Sequence, residues 1–190
     1  MNITSAEFVG GMVGQDPLLD KPYKQVAFIG RSNVGKSSLI NALTKKNDLA
    51  RTSSFPGRTQ QINLFLINNS FYLVDLPGYG FAKLSKVERA KIDDLIKWYL
   101  FDGGFMQEKV VMIIDANIGL TESDHEMLHA LESEGKPVLV VANKIDKIRK
   151  TELERQKKKI LEAVGMHKVI FVSTTDKVGI GEVVNEIVHN

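Results

Sequence analysis

An eight-residue loop near the start of the chain has the spacing G-x-x-x-x-G-K-S. It follows the apolar run Val26 to Ile29 and consists of Gly30, Arg31, Ser32, Asn33, Val34, Gly35, Lys36 and Ser37. Its glycines lack a Cβ, so the backbone is free to curl and to point N–H groups at phosphate oxygens. The lysine adds a positive charge, Ser37 supplies a hydroxyl for Mg²⁺, and the following helix, with Ser38 in its first turn, directs its positive end at the phosphates. The loop therefore predicts a nucleoside triphosphate site.

A second motif, Asp75-Leu76-Pro77-Gly78, ends the apolar run Phe71 to Val74. There the carboxylate of Asp75 is placed to hold Mg²⁺ through water, and the Gly78 N–H to reach a γ-phosphate. An ordinary turn is the alternative. The phosphate-binding loop upstream favours the nucleotide interpretation, because ligands of an open α/β sheet bind beyond the carboxyl ends of its strands. We therefore assign catalytic roles to Lys36 and Gly78.

A third motif, Asn143-Lys144-Ile145-Asp146, follows the run Val138 to Ala142 and predicts which base is bound. The Asp146 carboxylate accepts two parallel hydrogen bonds, which fits N1–H and N2–H₂ of guanine and has no matching donor pair on adenine. Asn143 braces the loop and faces the base, and Lys144 lays its stem along the ring. Ser173 and Thr174, at the end of the last strand, complete the pocket with a backbone N–H to O6. The motif predicts GTP and GDP as ligands in preference to ATP.

A polar segment with glycine and proline, residues 51–59, is too irregular for a strand or a helix and predicts a mobile loop. Thr59 is the preferred second hydroxyl for Mg²⁺, available when a γ-phosphate draws the loop inward, and this would make Thr59 part of the catalytic set. Thr52 is the second choice. Either threonine could instead be an ordinary polar loop residue.

The elements that position these motifs follow an alternation of short apolar runs and amphipathic segments. This pattern predicts an α/β fold with a mostly parallel six-stranded sheet, one antiparallel edge hairpin and helices on both faces. The hairpin joins Ile62–Ile67 to Phe71–Val74 at Asn68-Asn69, residues that tolerate positive φ. Further strands are predicted at Val110–Ile114, Val138–Ala142 and Val169–Val172. Helices are predicted near Ser38–Lys45, Lys86–Phe101, Glu122–Glu134, Thr151–Val164 and Glu182–His189.

The bulk composition sets limits on the class of protein. The chain has 190 residues, 43% of them hydrophobic, which suits one GTP-binding domain over 25–190 behind an N-terminal arm, 1–24. Glycines and prolines in the arm predict an irregular segment packed on the domain. The chain has no cysteine, no secretory signal and no run that spans a membrane, so we expect a cytoplasmic monomer without a membrane or DNA partner. A net charge of +2 makes any basic surface local.

Two other enzyme classes compete with this interpretation. His125-Glu126-Met127-Leu128-His129 matches H-E-x-x-H, which on a helix offers two zinc ligands and a general base. The apolar side chains of that segment share the opposite face, so we expect both histidines to face solvent and the match to be accidental. A P-loop kinase would need a lid rich in arginine, and no such segment is present.

Four stretches of the chain together resemble the EngB (YsxC/YihA) family of ribosome-assembly GTPases. These stretches are the loop from Gly30 to Asn41, Arg51-Thr52-Ser53, Pro56-Gly57-Arg58-Thr59-Gln60, and Asp75 to Lys83. The resemblance implies the fold of a P-loop GTPase, the G domain, and a GTP-hydrolysing switch that acts in maturation of the large ribosomal subunit. It also implies the subunit or its precursor as partner, and a link to septation and the cell cycle. The chain departs from the family in two places, since Asn143 replaces a threonine and Asn117 stands where an arginine is expected.

Tyr79 stands where many GTPases carry a glutamine that orients the attacking water, and a phenol is poorly suited to that task. We therefore expect slow unassisted hydrolysis, with the missing group supplied by a partner or by the mobile loops. In related GTPases an asparagine at the position of Asn33 ligates K⁺, which takes the place of an arginine finger. Bracing of the loop is the alternative role for Asn33.

Two basic segments are possible rRNA contacts. The run Lys157-Lys158-Lys159, with Arg149, Lys150 and Arg155 nearby, is most simply a solvated helix face. Lys83, Lys86, Arg89 and Lys91 are preferred, because they follow the Asp75–Gly78 motif and would move with the nucleotide state.

Overall fold

The computed structural model describes residues 2–50, 61–80 and 84–188. Within these ranges a seven-stranded sheet has the order β1-β3-β4-β2-β5-β6-β7. The strands are β1 (Ala6–Met12), β2 (Lys24–Gly30), β3 (Ile62–Ile67), β4 (Phe71–Asp75), β5 (Gln107–Asp115), β6 (Val138–Asn143) and β7 (Lys168–Phe171). The helices are α1 (Lys36–Thr44), α2 (Lys86–Lys97), α3 (Glu122–Ser133), α4 (Leu153–Val164) and α5 (Ile180–Val188).

The parallel part of the sheet lies between two layers of helices, as its apolar sequence requires. Strands β4, β2, β5, β6 and β7 run parallel, and alternate side chains of each strand enter one of two apolar clusters. One cluster joins the sheet to Ile92 of α2, Leu128 of α3 and Ile160 of α4. The other joins it to Leu39 of α1 and Val183 of α5. The predicted α/β fold class, with helices on both faces, is confirmed.

The prediction of an irregular N-terminal arm was wrong for Ala6–Met12, which forms β1 antiparallel to β3. This strand is the seventh where six were predicted, and it covers the hairpin strand that was expected to lie at the sheet edge. Gly10 and Gly11 explain why this strand was not predicted, because glycine weakens strand propensity. Both glycines fit close packing here: a Cβ on Gly10 would lie 2.9 Å from Leu18 Cδ1, and one on Gly11 would overlap the Gln61 side chain.

The β3–β4 hairpin and the helices lie close to their predicted positions. Asn68 and Asn69 have φ of 50° and 49°, as the predicted turn requires. Helix α2 begins behind a capping box formed by Ser85 and Glu88. It ends at Lys97, four residues before the predicted end, and the chain continues as a single π-helical turn over Trp98–Asp102.

Candidate nucleotide-binding site

The structure brings the predicted site residues within the described ranges to one edge of the sheet. Gly30, Asp75 and Asn143 are the last residues of β2, β4 and β6, and Ser173 and Thr174 follow β7. Because these strands are parallel, their carboxyl ends share the crevice in which open α/β sheets bind ligands. Thr59 and Thr52 lie outside the described residues, so their predicted roles stay predictions.

The phosphate loop is held in shape by the motif proposed to read guanine. Asn143 Nδ2 donates to the Val34 carbonyl at 2.9 Å, and Lys144 Nζ donates to the Asn33 carbonyl at 2.6 Å. Gly35 precedes α1 with φ of 96°, and a Cβ there would overlap Asn143 Nδ2. The two loops therefore pack too closely for any residue but glycine at this position.

The lysine and the carboxylate expected around the phosphates form a buried ion pair. Lys36 Nζ contacts Asp75 Oδ1, and the two residues are 8% and 2% exposed. Ser37 and Ser38 follow Lys36 in the first turn of α1, where the backbone N–H groups are free to meet an anion. A hydroxyl, a carboxylate and a cation at one helix N-terminus form a donor set that suits a triphosphate with Mg²⁺.

The proposed base pocket contains one fixed carboxylate and one buried polar atom without a partner. Asp146 Oδ1 accepts from Ser173 Oγ at 2.9 Å, and Ser173 is fully buried. Within the described part of the chain, the buried Oδ1 of Asn143 has no hydrogen-bond partner. A buried acceptor without a donor is costly, and a bound ligand with polar groups would relieve that cost. The Ser173 N–H donates to the Val178 carbonyl, which leaves the predicted contact with O6 to the Thr174 N–H.

Tyr79 turns its side chain away from the phosphate edge and into the protein. Its hydroxyl donates to Asp124 Oδ1 at 2.7 Å, and the residue is only 5% exposed. Burial, followed by the Asp124 carboxylate, raises the pKa of Tyr79 above its ordinary value, so the hydroxyl stays protonated and donates. In this arrangement the phenol is unavailable to orient an attacking water.

Sequence reasoning missed two acidic residues at this edge of the sheet. Asp115 Oδ2 accepts from Lys144 Nζ at 2.8 Å, which fixes the lysine across the pocket. Asp124 is 1% exposed and receives the Tyr79 hydroxyl. Each residue carried a signal in the sequence: Asp115 follows the apolar run Val110–Ile114, and Asp124 stands three residues after Thr121 in a capping-box pattern.

The H-E-x-x-H segment has the placement that the sequence predicted. His125 and His129 are exposed on α3, while Leu128 is buried. Among the described residues no group of three or more His, Cys, Asp or Glu side chains is arranged to hold a metal ion. Nor does any described helix have the length and apolar character needed to cross a bilayer.

The chain is similar in sequence and in structure to known GTP-binding proteins. A family profile described as "50S ribosome-binding GTPase" matches residues 25–144. The "Probable GTP-binding protein EngB" of Clostridium perfringens (strain 13 / Type A) is 43% identical over 188 residues, which is 97% of this chain and 95% of the relative. A solved structure of a probable GTP-binding protein engB has a TM-score of 0.72 and 28% identity over 86% of this chain and 96% of its own. NFeoB from S. thermophilus, solved with GDP·AlF4⁻ and K⁺, has a TM-score of 0.62 and 25% identity over 88% of this chain and 62% of its own.

Proposed function

This chain belongs to the EngB family of GTP-binding proteins, and we propose that it is a slowly hydrolysing GTP switch acting in assembly of the large ribosomal subunit. The packing of the Asn143–Asp146 motif on the phosphate loop carries the proposal, because Asn143 and Lys144 both donate to carbonyls of that loop. Base recognition and phosphate binding are then parts of one rigid site. The description of the matching family profile supports the large subunit as the partner, and such a partner implies a cytoplasmic protein.

In the proposed mechanism the phosphates lie on N–H groups of the phosphate loop and of the first turn of α1, and on the Lys36 ammonium. Lys36 then exchanges Asp75 for the β- and γ-phosphate oxygens. Mg²⁺, when bound, neutralises charge on those oxygens, and Ser37, Thr59 and Asp75 would hold it, the last through water. The Gly78 N–H would donate to the γ-phosphate. GDP, which has no γ-phosphate, cannot make this contact.

The missing water-orienting group makes the proposed switch slow without assistance. The hydroxyl of Tyr79 is engaged by Asp124, so a transition-state charge must come from elsewhere. Asn33 lies in the loop with φ of 67° and an exposed side chain, which keeps its carboxamide available to a K⁺ ion. The related NFeoB structure with GDP·AlF4⁻ and K⁺ supports this assignment.

We expect hydrolysis at about 10⁻³ s⁻¹ or less in the isolated protein, and faster in KCl than in NaCl of equal ionic strength. Asn33→Ala should remove the difference between the two salts and leave GDP affinity unchanged, because the ion would act on the transition state. Single-turnover phosphate release in the two salts measures the hydrolysis rates of the wild-type protein and of Asn33→Ala. One common rate in both salts, with Asn33→Ala also unchanged, would refute the potassium role.

The proposed partner surface begins where the nucleotide site ends. Lys86 and Arg89 are exposed in the first turn of α2, eight and eleven residues after Gly78. Lys83 lies outside the described residues. A γ-phosphate that accepts from the Gly78 N–H would fix this segment and present its cations together. Pre-ordered cations lose little further entropy when they bind rRNA phosphates.

A second basic surface on α4 provides a matched comparison. Arg155 and Lys159 are exposed and line a polar groove with Asn117. They are remote in sequence from Gly78, so the switch mechanism gives them no dependence on the γ-phosphate.

Sedimentation with purified large-subunit particles tests the proposal. We expect the protein to pellet with a GTP analogue and far less with GDP, and to bind more weakly as salt rises, because rRNA takes up counterions. Lys86→Glu with Arg89→Glu should abolish pelleting and spare GTP binding, whereas Arg155→Glu with Lys159→Glu should preserve the GTP dependence. Equal, salt-insensitive pelleting with both nucleotides would refute the proposed switch in ribosome binding, and no pelleting with either nucleotide would favour a GTPase switch with another partner.

A further inference from the structure

A buried hydrogen bond links the residue after Gly78 to the start of α3. The Tyr79 hydroxyl donates to Asp124 Oδ1 at 2.7 Å across 45 positions of sequence, and neither residue has significant solvent exposure. A hydrogen bond from a neutral donor to a buried carboxylate is stronger than one between neutral groups. Tyr79 is therefore firmly tied to α3.

The carboxylate that receives Tyr79 is itself fixed. Asp124 Oδ2 accepts from the Thr121 N–H at 2.9 Å and from the Thr121 hydroxyl at 2.7 Å. Arg31 of the phosphate loop places Nε 3.7 Å from the same oxygen, and this buried Nε has no hydrogen-bond partner among the described residues. Asp124 thus stands between the phosphate loop, the start of α3 and Tyr79.

The backbone of Tyr79 is joined to the phosphate loop as well. The Tyr79 N–H donates to the Gly30 carbonyl at 3.3 Å, and the Ser32 N–H donates to the Tyr79 carbonyl at 3.0 Å. Gly78 lies against the same loop, since a Cβ there would be 3.0 Å from Ser32 N. Because Tyr79 is the next residue, a shift of its ring or backbone must move the Gly78 peptide.

We propose that Asp124 is a positioning residue that acts through Tyr79 to hold the Gly78 N–H in reach of a γ-phosphate, and so sets the affinity for GTP relative to that for GDP. This inference rests on the role of Gly78 given under the proposed function. Asp124 touches neither nucleotide nor metal in this scheme. Its effect is confined to ligands that carry the third phosphate.

The residue after Tyr79 has a backbone conformation that favours glycine. Gly80 has φ of 69°, which glycine adopts without strain. The Arg31 side chain fills the space beside Gly80, where a Cβ would lie 3.5 Å from Arg31 Cδ. The segment from Gly78 to Gly80 therefore lies against the phosphate loop.

The test is the Tyr79→Phe variant, which removes the hydroxyl and keeps the ring. Affinity for a non-hydrolysable GTP analogue should fall by up to about tenfold, because the Gly78 N–H is no longer held in place before the ligand binds, while affinity for GDP should stay unchanged. Fluorescence titration with both nucleotides gives the ratio directly. An unchanged ratio in the folded variant overturns the proposal.

Two controls separate positioning from general stability. Tyr99→Phe makes the same change at another buried tyrosine, whose hydroxyl donates to Gln25 Oε1 at 2.8 Å near the opposite end of β2. Thr121→Val removes one of two donors from Asp124 Oδ2, and it should lower the ratio of GTP-analogue to GDP affinity less than Tyr79→Phe does, because the Thr121 N–H still holds that oxygen. Tyr99→Phe should not change that ratio, whatever it does to the thermal midpoint. If Tyr99→Phe changes the ratio as much as Tyr79→Phe does, Tyr79 has no special role and the proposal is overturned.

The Gly78→Ala variant tests the role of Gly78 separately from the anchoring role of Asp124. Its Cβ would press on Ser32 and displace the N–H, so GTP-analogue affinity should fall and GDP affinity should not. If Gly78→Ala leaves the ratio unchanged, the role of Gly78 fails and the inference falls with it. If Gly78→Ala lowers the ratio and Tyr79→Phe does not, only the Asp124 anchor is overturned.

Discussion

Replacing Lys36 by alanine should lower GTP hydrolysis by about a hundredfold to a thousandfold, the loss seen when one preorganised donor to developing charge is removed. The lysine would supply the cation on the β- and γ-phosphate oxygens, and the helix N-terminus alone does not replace that charge. GTP-analogue affinity should fall with it. Phosphate release under single-turnover conditions measures the first effect and fluorescence titration the second. A Lys36→Ala protein that hydrolyses GTP at the normal rate would place the active site elsewhere.

The same substitution should also destabilise the nucleotide-free protein, which motif reasoning alone does not predict. Lys36 and Asp75 form a buried pair, and removing one partner leaves the other charge unpaired, at a cost of about 3 kcal/mol. Lys159→Ala is the matched control, because Lys159 is an exposed helical lysine with no ion pair in the described ranges. Urea unfolding without nucleotide should separate the two variants.

Replacing Asp146 by asparagine should transfer preference from GTP towards xanthosine triphosphate, with a change of roughly 10³-fold or more in the affinity ratio. Xanthine carries a carbonyl where guanine carries the N2 amino group, so an amide donor at position 146 matches it and a carboxylate does not. Competitive binding of GTP and xanthosine triphosphate measures the ratio. Unchanged guanine preference in the folded variant would show that Asp146 does not read the base.

Ser173→Ala is the control for that experiment. It removes the hydroxyl that donates to Asp146 Oδ1 at 2.9 Å and retains the carboxylate itself. We expect weaker GTP binding, by about tenfold, with the preference for guanine intact. A switch of base preference in Ser173→Ala would mean that orientation, and not the charge of Asp146, decides between the bases.

The motifs that lie at strand ends could be predicted because each depends on a few adjacent residues and on one strand before it. The loop at Gly30–Ser37, the motif at Asp75 and the motif at Asn143 are all of this kind, and the structure gathers them at one edge of the sheet. Their convergence follows from the parallel order of β4, β2, β5 and β6. The continuous apolar runs of those strands predict their parallel arrangement, because parallel strands are buried on both faces.

Features that depend on distant partners could not be predicted in the same way. Strand β1 contains Gly10 and Gly11, and it forms because β3, more than fifty residues later, offers an unpaired edge. The direction of the Tyr79 side chain is set by Asp124 on another element. The link between Lys144 and Asp115 likewise joins the ends of two neighbouring strands. A sequence pattern records which residues are present and leaves such long-range pairs open.

We propose that the γ-phosphate, through Gly78, orders the segment that carries the partner surface. Amide hydrogen exchange of the wild-type protein tests it, with GDP and with a non-hydrolysable GTP analogue, each saturating and in the presence of Mg²⁺. We expect slower exchange with the GTP analogue in peptides spanning Gly78–Gly80 and Leu84–Arg89. Exchange at the Asn143–Asp146 motif should be equal in the two states, because guanine is common to both ligands. Equal exchange across Gly78–Arg89 in the two states would contradict it.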